Sequence, residues 1–122
     1  MNVEGDRMFK RIVIPVLLIA LSACAPKNFN GTFTEGQESL PVSMTATAHM
    51  LSGTDYSLET ELPDGSVFKG EIDTRHPSAI LYSTEGKSMK CDFSFKNKKK
   101  SFKAGGKAVC TTSEGQSLDL NF

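Results

Sequence analysis

Tryptophan is absent from this sequence, and cysteine occurs only 3 times. A disulfide-dense scaffold of the toxin type is thereby excluded. Neither sign of charge dominates, since 14 Lys+Arg stand against 14 Asp+Glu. That balance removes the strongly basic chain that nucleic acid demands, so no nucleic-acid partner is expected. Long hydrophobic runs are missing apart from one short stretch near the N-terminus, and a mean hydropathy of -0.24 excludes a polytopic membrane protein. From residue 40 onward helical spacing of apolar residues is hard to find. With 122 residues there is room for one domain.

The short apolar stretch runs from Ile12 to Ala23, follows Lys10 and Arg11, and ends in small residues. This is the three-part form of a secretory signal. A stretch of about twelve residues makes roughly 18 Å of helix, short of the ~30 Å hydrocarbon core, and Pro15 weakens it further as a permanent span. Its exit, Leu21-Ser22-Ala23-Cys24, resembles a bacterial lipobox. The resemblance implies cleavage before Cys24, a diacylglyceryl group on its thiol, and attachment to a membrane through that lipid. In enterobacterial lipoproteins an Asp after the cysteine retains the protein in the inner membrane, so by the same resemblance Ala25 implies the outer membrane, facing the periplasm. Residues 1–23 are thus expected to be a signal peptide. Glu4 and Asp6 suit its basic start badly. Glu4-Gly5 is encoded GAR-GGN, which accommodates a GAGG ribosome-binding element, so translation is expected to begin at Met8.

Beyond the cysteine, residues 24–39 are rich in Pro, Gly, Asn, Ser and Thr and read as a lipidated tether, or as a loose first strand around Phe29 and Phe33. From residue 40 onward the dominant period is two. Val42, Met44, Ala46, Ala48 and Met50 alternate with polar residues, and so do Met89, Cys91, Phe93 and Phe95. Further strands are expected from Tyr56 to Leu62, Val67 to Ile72, Ala79 to Thr84, Phe102 to Thr112 and Leu118 to Phe122. Acid-Gly pairs at Asp64-Gly65, Glu85-Gly86 and Glu114-Gly115 mark tight hairpin turns. An apolar residue follows each glycine at the third position: Phe68, Met89 and Leu118. Convergence of hairpins with one geometry explains this echo better than duplication. The expected fold is all-β, a small antiparallel meander of about seven or eight short strands over residues 40–122, closed as a barrel or stacked as a sandwich.

With Cys24 assigned to lipid, Cys91 and Cys110 remain, and an exported compartment permits their oxidation to a disulfide. Zinc is a poor rival because neither has a Cys or His nearby, so no metal site is expected. Catalysis is not expected either. His49 falls on a strand among Thr and Met, His76 sits in a loop before Pro77, and no G-x-S-x-G surrounds a serine. Gly105-Gly106-Lys107 is no phosphate loop, since Ala108 follows the lysine; its glycines suit a bulge or close strand packing. No cofactor site emerges.

Charge is unevenly distributed along the chain. Acids crowd residues 30–74, whereas Lys96, Lys98, Lys99, Lys100 and Lys103 cluster on one hairpin. Such a cluster either contacts an anionic partner (lipid headgroups, lipopolysaccharide phosphates or an acidic envelope protein) or forms a solvated tip that blocks edge pairing. The ending Leu118-Asp119-Leu120-Asn121-Phe122 resembles the terminal strand of outer-membrane β-barrel proteins, but the runs are too short for spanning strands. A core strand whose last residue plugs one end of the fold is the better account.

Taken together, Asp64-Gly65 with Phe68 and Gly70, Met89 to Phe93, Gly106, Cys110, Gly115 and Phe122 resemble small proteobacterial lipoproteins with a β-type periplasmic domain. That resemblance carries no assigned activity and implies a structural or interaction module of the cell envelope. The alternative is a periplasmic inhibitor similar to the membrane-bound C-type lysozyme inhibitors, an analogy of size, location and disulfide. Their Trp-containing stretch has no counterpart here.

Overall fold

Period-two alternation becomes a wall with two faces once each strand finds its neighbours. The computed structural model describes residues 26–49 and 53–122. Residues 1–23, expected to be a signal peptide, and Cys24 and Met50 lie outside them. Eight strands follow in order: β1 (Lys27–Glu35), β2 (Glu38–Ala48), β3 (Asp55–Glu61), β4 (Val67–Asp73), β5 (Ser78–Ser83), β6 (Ser88–Phe95), β7 (Gly106–Thr112) and β8 (Ser117–Asn121). Each pairs antiparallel with the next, and β8 returns to β1, so the sheet is a closed barrel. Between β6 and β7 lies one 3₁₀ turn, Ser101–Ala104.

Closure comes from the segment whose composition suggested a tether. Phe29 and Phe33 on β1 are buried, and the ladder to β8 runs from Asn30 opposite Asn121 to Thr34 opposite Ser117. The domain boundary at residue 40 is therefore corrected to Lys27, and only the loose-first-strand alternative survives. Burying two phenylalanines outweighs the weak local strand preference of Asn, Gly and Thr. Gly31 belongs to this seam: a Cβ there would run into the Asp119 carbonyl. Only glycine lets β1 and β8 approach so closely. All eight strands that close the barrel lie within residues 26–122.

An eight-stranded barrel leaves an interior just wide enough for side chains. Here Met44, Leu58, Phe68, Ile72, Leu81 and Met89 fill it, none more than 2% exposed. Lys69, Glu71, Lys90, Asp92 and Lys107 point outward, with Leu40, Ile80, Tyr82 and Val109 as the large apolar exceptions. Apolar inside and polar outside is the reverse of an outer-membrane barrel, whose apolar band faces lipid. Cys91 and Cys110 are directly opposite each other across β6 and β7, both fully buried, and their sulfurs form a disulfide.

The acid-Gly echo is one turn geometry used repeatedly. Leu62 N–H donates to the Ser66 carbonyl at 2.9 Å, Ser83 to Lys87 at 2.9 Å and Thr112 to Gln116 at 2.8 Å. In each, the turn glycine has positive φ (90° at Gly65, 82° at Gly86 and 83° at Gly115) and donates back to the first residue of the turn. The third residue after each glycine, Phe68, Met89 and Leu118, points into the core.

A meander sends alternate connections to opposite ends. The turns after β1, β3, β5 and β7 share one end. The connections after β2, β4 and β6 share the other, together with the start of β1 and the end of β8.

Candidate functional site

The end with tight turns is acidic. Glu35, Glu38, Glu61, Asp64, Glu85 and Glu114 ring it, and its one lysine, Lys87, is tied to Glu114 at 3.1 Å and Glu85 at 3.8 Å. The hydrogen bond to Glu114 raises the Lys87 pKa, with the charge of Glu85 adding to it. At the opposite end lie Lys27, Arg75, and the loop carrying Lys96, Lys98, Lys99, Lys100 and Lys103, against two acids, Asp55 and Asp73. The uneven charge along the chain thus becomes a charge difference between the two ends of one barrel.

The lysine loop is not a loose tip. Asn97 organises it, its carbonyl accepting from Lys100 N–H at 3.1 Å and Ser101 N–H at 3.0 Å while its side chain accepts from Lys99 N–H at 3.0 Å. Phe102, expected at the start of a strand, instead sits in the 3₁₀ turn and drops into the barrel mouth, 1% exposed. Its ring lies 4.7 Å from Tyr56, 5.0 Å from Phe122 and 5.1 Å from Phe95, centroid to centroid. Leaving the ladder lets that ring bury against aromatic neighbours, which a continued strand would not allow. Phe122 also joins this plug, held by paired backbone hydrogen bonds with Gly106 at 3.1 Å. Gly106 has no Cβ because the Phe122 ring and the Ser94 carbonyl occupy that space.

Two roles were open for the lysines. Blocking edge pairing has no purpose here, because a closed barrel has no free edge. Nor are they held in ion pairs: among the described residues, Lys96, Lys98, Lys99, Lys100 and Lys103 all lie outside them, whereas Lys69, Lys87 and Arg75 are paired. Their charges face outward around an apolar plug.

Arg75 is different. Its guanidinium makes a forked contact with Asp73, at 2.7 Å from Nη2 and 3.0 Å from Nε. That hydrogen bonding, with the Arg75 backbone N–H, lowers the Asp73 pKa from 3.8 to about 2. The clasp is therefore complete above the ordinary carboxylate range and is lost as pH falls through about 2. Following the Asp73 carboxyl carbon by NMR should give a midpoint near 2, which Arg75→Ala returns toward 3.8. A wild-type midpoint already near 3.8 would contradict the clasp. High salt should also move it upward, since the pair is exposed.

The histidines are dispersed. His49, just past β2, meets the Ser57 hydroxyl at 2.7 Å, and His76 is exposed in the connection after β4. Sequence reasoning located the lysines and missed the Phe102 plug. The available signal was an aromatic residue between a lysine run and two glycines, where a solvated loop has no use for one. No family model matches this chain, and comparison with curated proteins and with solved structures finds no match.

Proposed function

We propose that this protein is a lipid-anchored cell-envelope lipoprotein, an interaction module whose basic end rests against anionic headgroups at the periplasmic face of the outer membrane. The observation that carries this reading is geometric. The first strand starts at the same barrel end as the lysine loop. From Cys24 to Lys27 the chain reaches at most about 11 Å, at ~3.3–3.6 Å per residue. A lipid on Cys24 would therefore hold Lys98, Lys99 and Lys100 close to the bilayer surface and turn the acidic end away from it.

Acyl chains and a basic patch form a two-signal anchor, in which the lipid supplies most of the affinity and the lysines set orientation. The outward-facing strands need not enter the bilayer. Their polar surface suits water, and the acidic rim stays available to periplasmic partners.

Two measurements test the reading. Intact mass of the full chain, recovered from bacterial membranes, should show a diacylglyceryl adduct beginning at Cys24. Segment 26–122, without lipid, should associate with vesicles containing anionic phospholipid and not with zwitterionic ones. A soluble, unmodified Cys24 or indifference to vesicle charge would sink it.

A further inference from the structure

Beside the aromatic plug lies a cleft of about 680 Å³, between Gly53 and Thr54 ahead of β3, the connection after β4, the end of β6 and the lysine loop. Clefts that hold small ligands run from about 300 to 1,000 Å³. Its apolar side is formed by Pro77 and the half-buried Phe95, with the core residue Phe93 at its base, and its cationic wall by Lys98, Lys99 and Arg75. Because Arg75 is already matched by Asp73, the unmatched charge comes from Lys98 and Lys99. Two of its walls are tied by hydrogen bonds. Phe93 N–H donates to the Pro77 carbonyl at 2.9 Å, joining β6 to the β4–β5 connection, and Asn97 fixes the backbone beneath the lysines.

An apolar surface alone would take any hydrophobe, and lysines alone any anion. Side by side in one cleft they select molecules with both characters. We propose that the cleft binds a single amphiphile with an anionic head and an apolar tail, the chemistry of an anionic membrane lipid. The head meets Lys98 and Lys99, and the tail lies along Phe95 and Pro77. This deepens the membrane-facing orientation proposed above and rests on it for the source of the lipid, whereas the fit of the ligand to the cleft does not depend on a bilayer.

The test uses segment 26–122, which contains the whole barrel, titrated with decyl phosphate below its micellar concentration and followed by amide and ring-proton NMR. Binding should saturate at one molecule per protein, with shifts confined to residues 74–77, 93–101 and the Phe93 and Phe95 rings. Affinity should exceed that for inorganic phosphate by at least about tenfold, the effect of burying some two methylenes. Decyltrimethylammonium should not compete. Replacing both lysines, Lys98→Gln with Lys99→Gln, should weaken decyl phosphate about tenfold or more without moving the thermal midpoint, since both side chains are exposed.

Shifts scattered over the barrel, equal affinity for inorganic phosphate, or equal binding of the cationic amphiphile would overturn the proposal. Anionic vesicles separate it from the orientation reading. Decyl phosphate binding without vesicle binding supports the cleft and defeats the orientation, while vesicle binding without decyl phosphate binding defeats the cleft and leaves the orientation standing.

Discussion

Replacing Cys91 and Cys110 together by alanine is expected to lower the thermal unfolding midpoint by roughly 10–20 °C. The two cysteines are 19 residues apart, and a cross-link over that span removes unfolded-chain entropy equivalent to about 3 kcal/mol. For a domain of this size each kcal/mol moves the midpoint by about 4–8 °C. Both residues are fully buried, so the alanines also leave unfilled core volume, which adds to the loss. Alanine is the right replacement because serine would place a hydroxyl without an arranged partner in an apolar interior. The barrel has only side chains to fill its centre, which leaves the staple a large share of a small domain's stability. Scanning calorimetry of the oxidised protein and the double variant measures the difference. Coincident midpoints would show that the barrel does not rely on the bridge. Burial also predicts that mild reductant leaves the folded protein cross-linked and acts only after unfolding.

Neutralising Lys98, Lys99 and Lys100 together, each to glutamine, is expected to weaken association of segment 26–122 with anionic vesicles by about two orders of magnitude. Each lysine near a charged bilayer contributes about 1 kcal/mol, and about 1.4 kcal/mol corresponds to tenfold. Wild-type binding should fall steeply as salt rises, because the screening length is only about 8 Å at physiological ionic strength. Stability should not follow. The three side chains are exposed and lie outside the ion pairs found among the described residues, and the loop is held by the Asn97 hydrogen bonds and the Phe102 ring. Vesicle co-sedimentation over a salt series, with a thermal scan of each variant, separates the two effects. Binding unchanged by the triple substitution would return these lysines to the role of solubilising charges. A matched set at the other end, such as Glu38→Gln with Glu85→Gln, should not reduce vesicle binding, since those residues ring the opposite mouth.

Periodicity along the chain was enough to establish the class of fold and the face of most strands. Met89, Cys91 and Phe93 alternate with Lys90 and Asp92 because successive side chains leave opposite faces of a strand, and nothing distant can change that parity. The acid-Gly pairs likewise marked their turns, since positive φ at Gly65, Gly86 and Gly115 is a local backbone requirement. Pairing of Cys91 with Cys110 was legible by elimination, once Cys24 was assigned to lipid. Closure was not legible. Whether β1 is a tether or a wall depends on β8, whose Asn121 and Ser117 meet Asn30 and Thr34 from the far end of the sequence. Period and composition say which side of a strand is apolar, but not which strand lies beside it. Phe102 left the ladder for the same reason, because the aromatic rings that receive it come from β1, β3, β6 and the C-terminus. The sequence alone showed an acidic stretch followed by a basic one. Only the barrel turned that into an acidic mouth and a basic one, because an antiparallel meander returns every second connection to the same end.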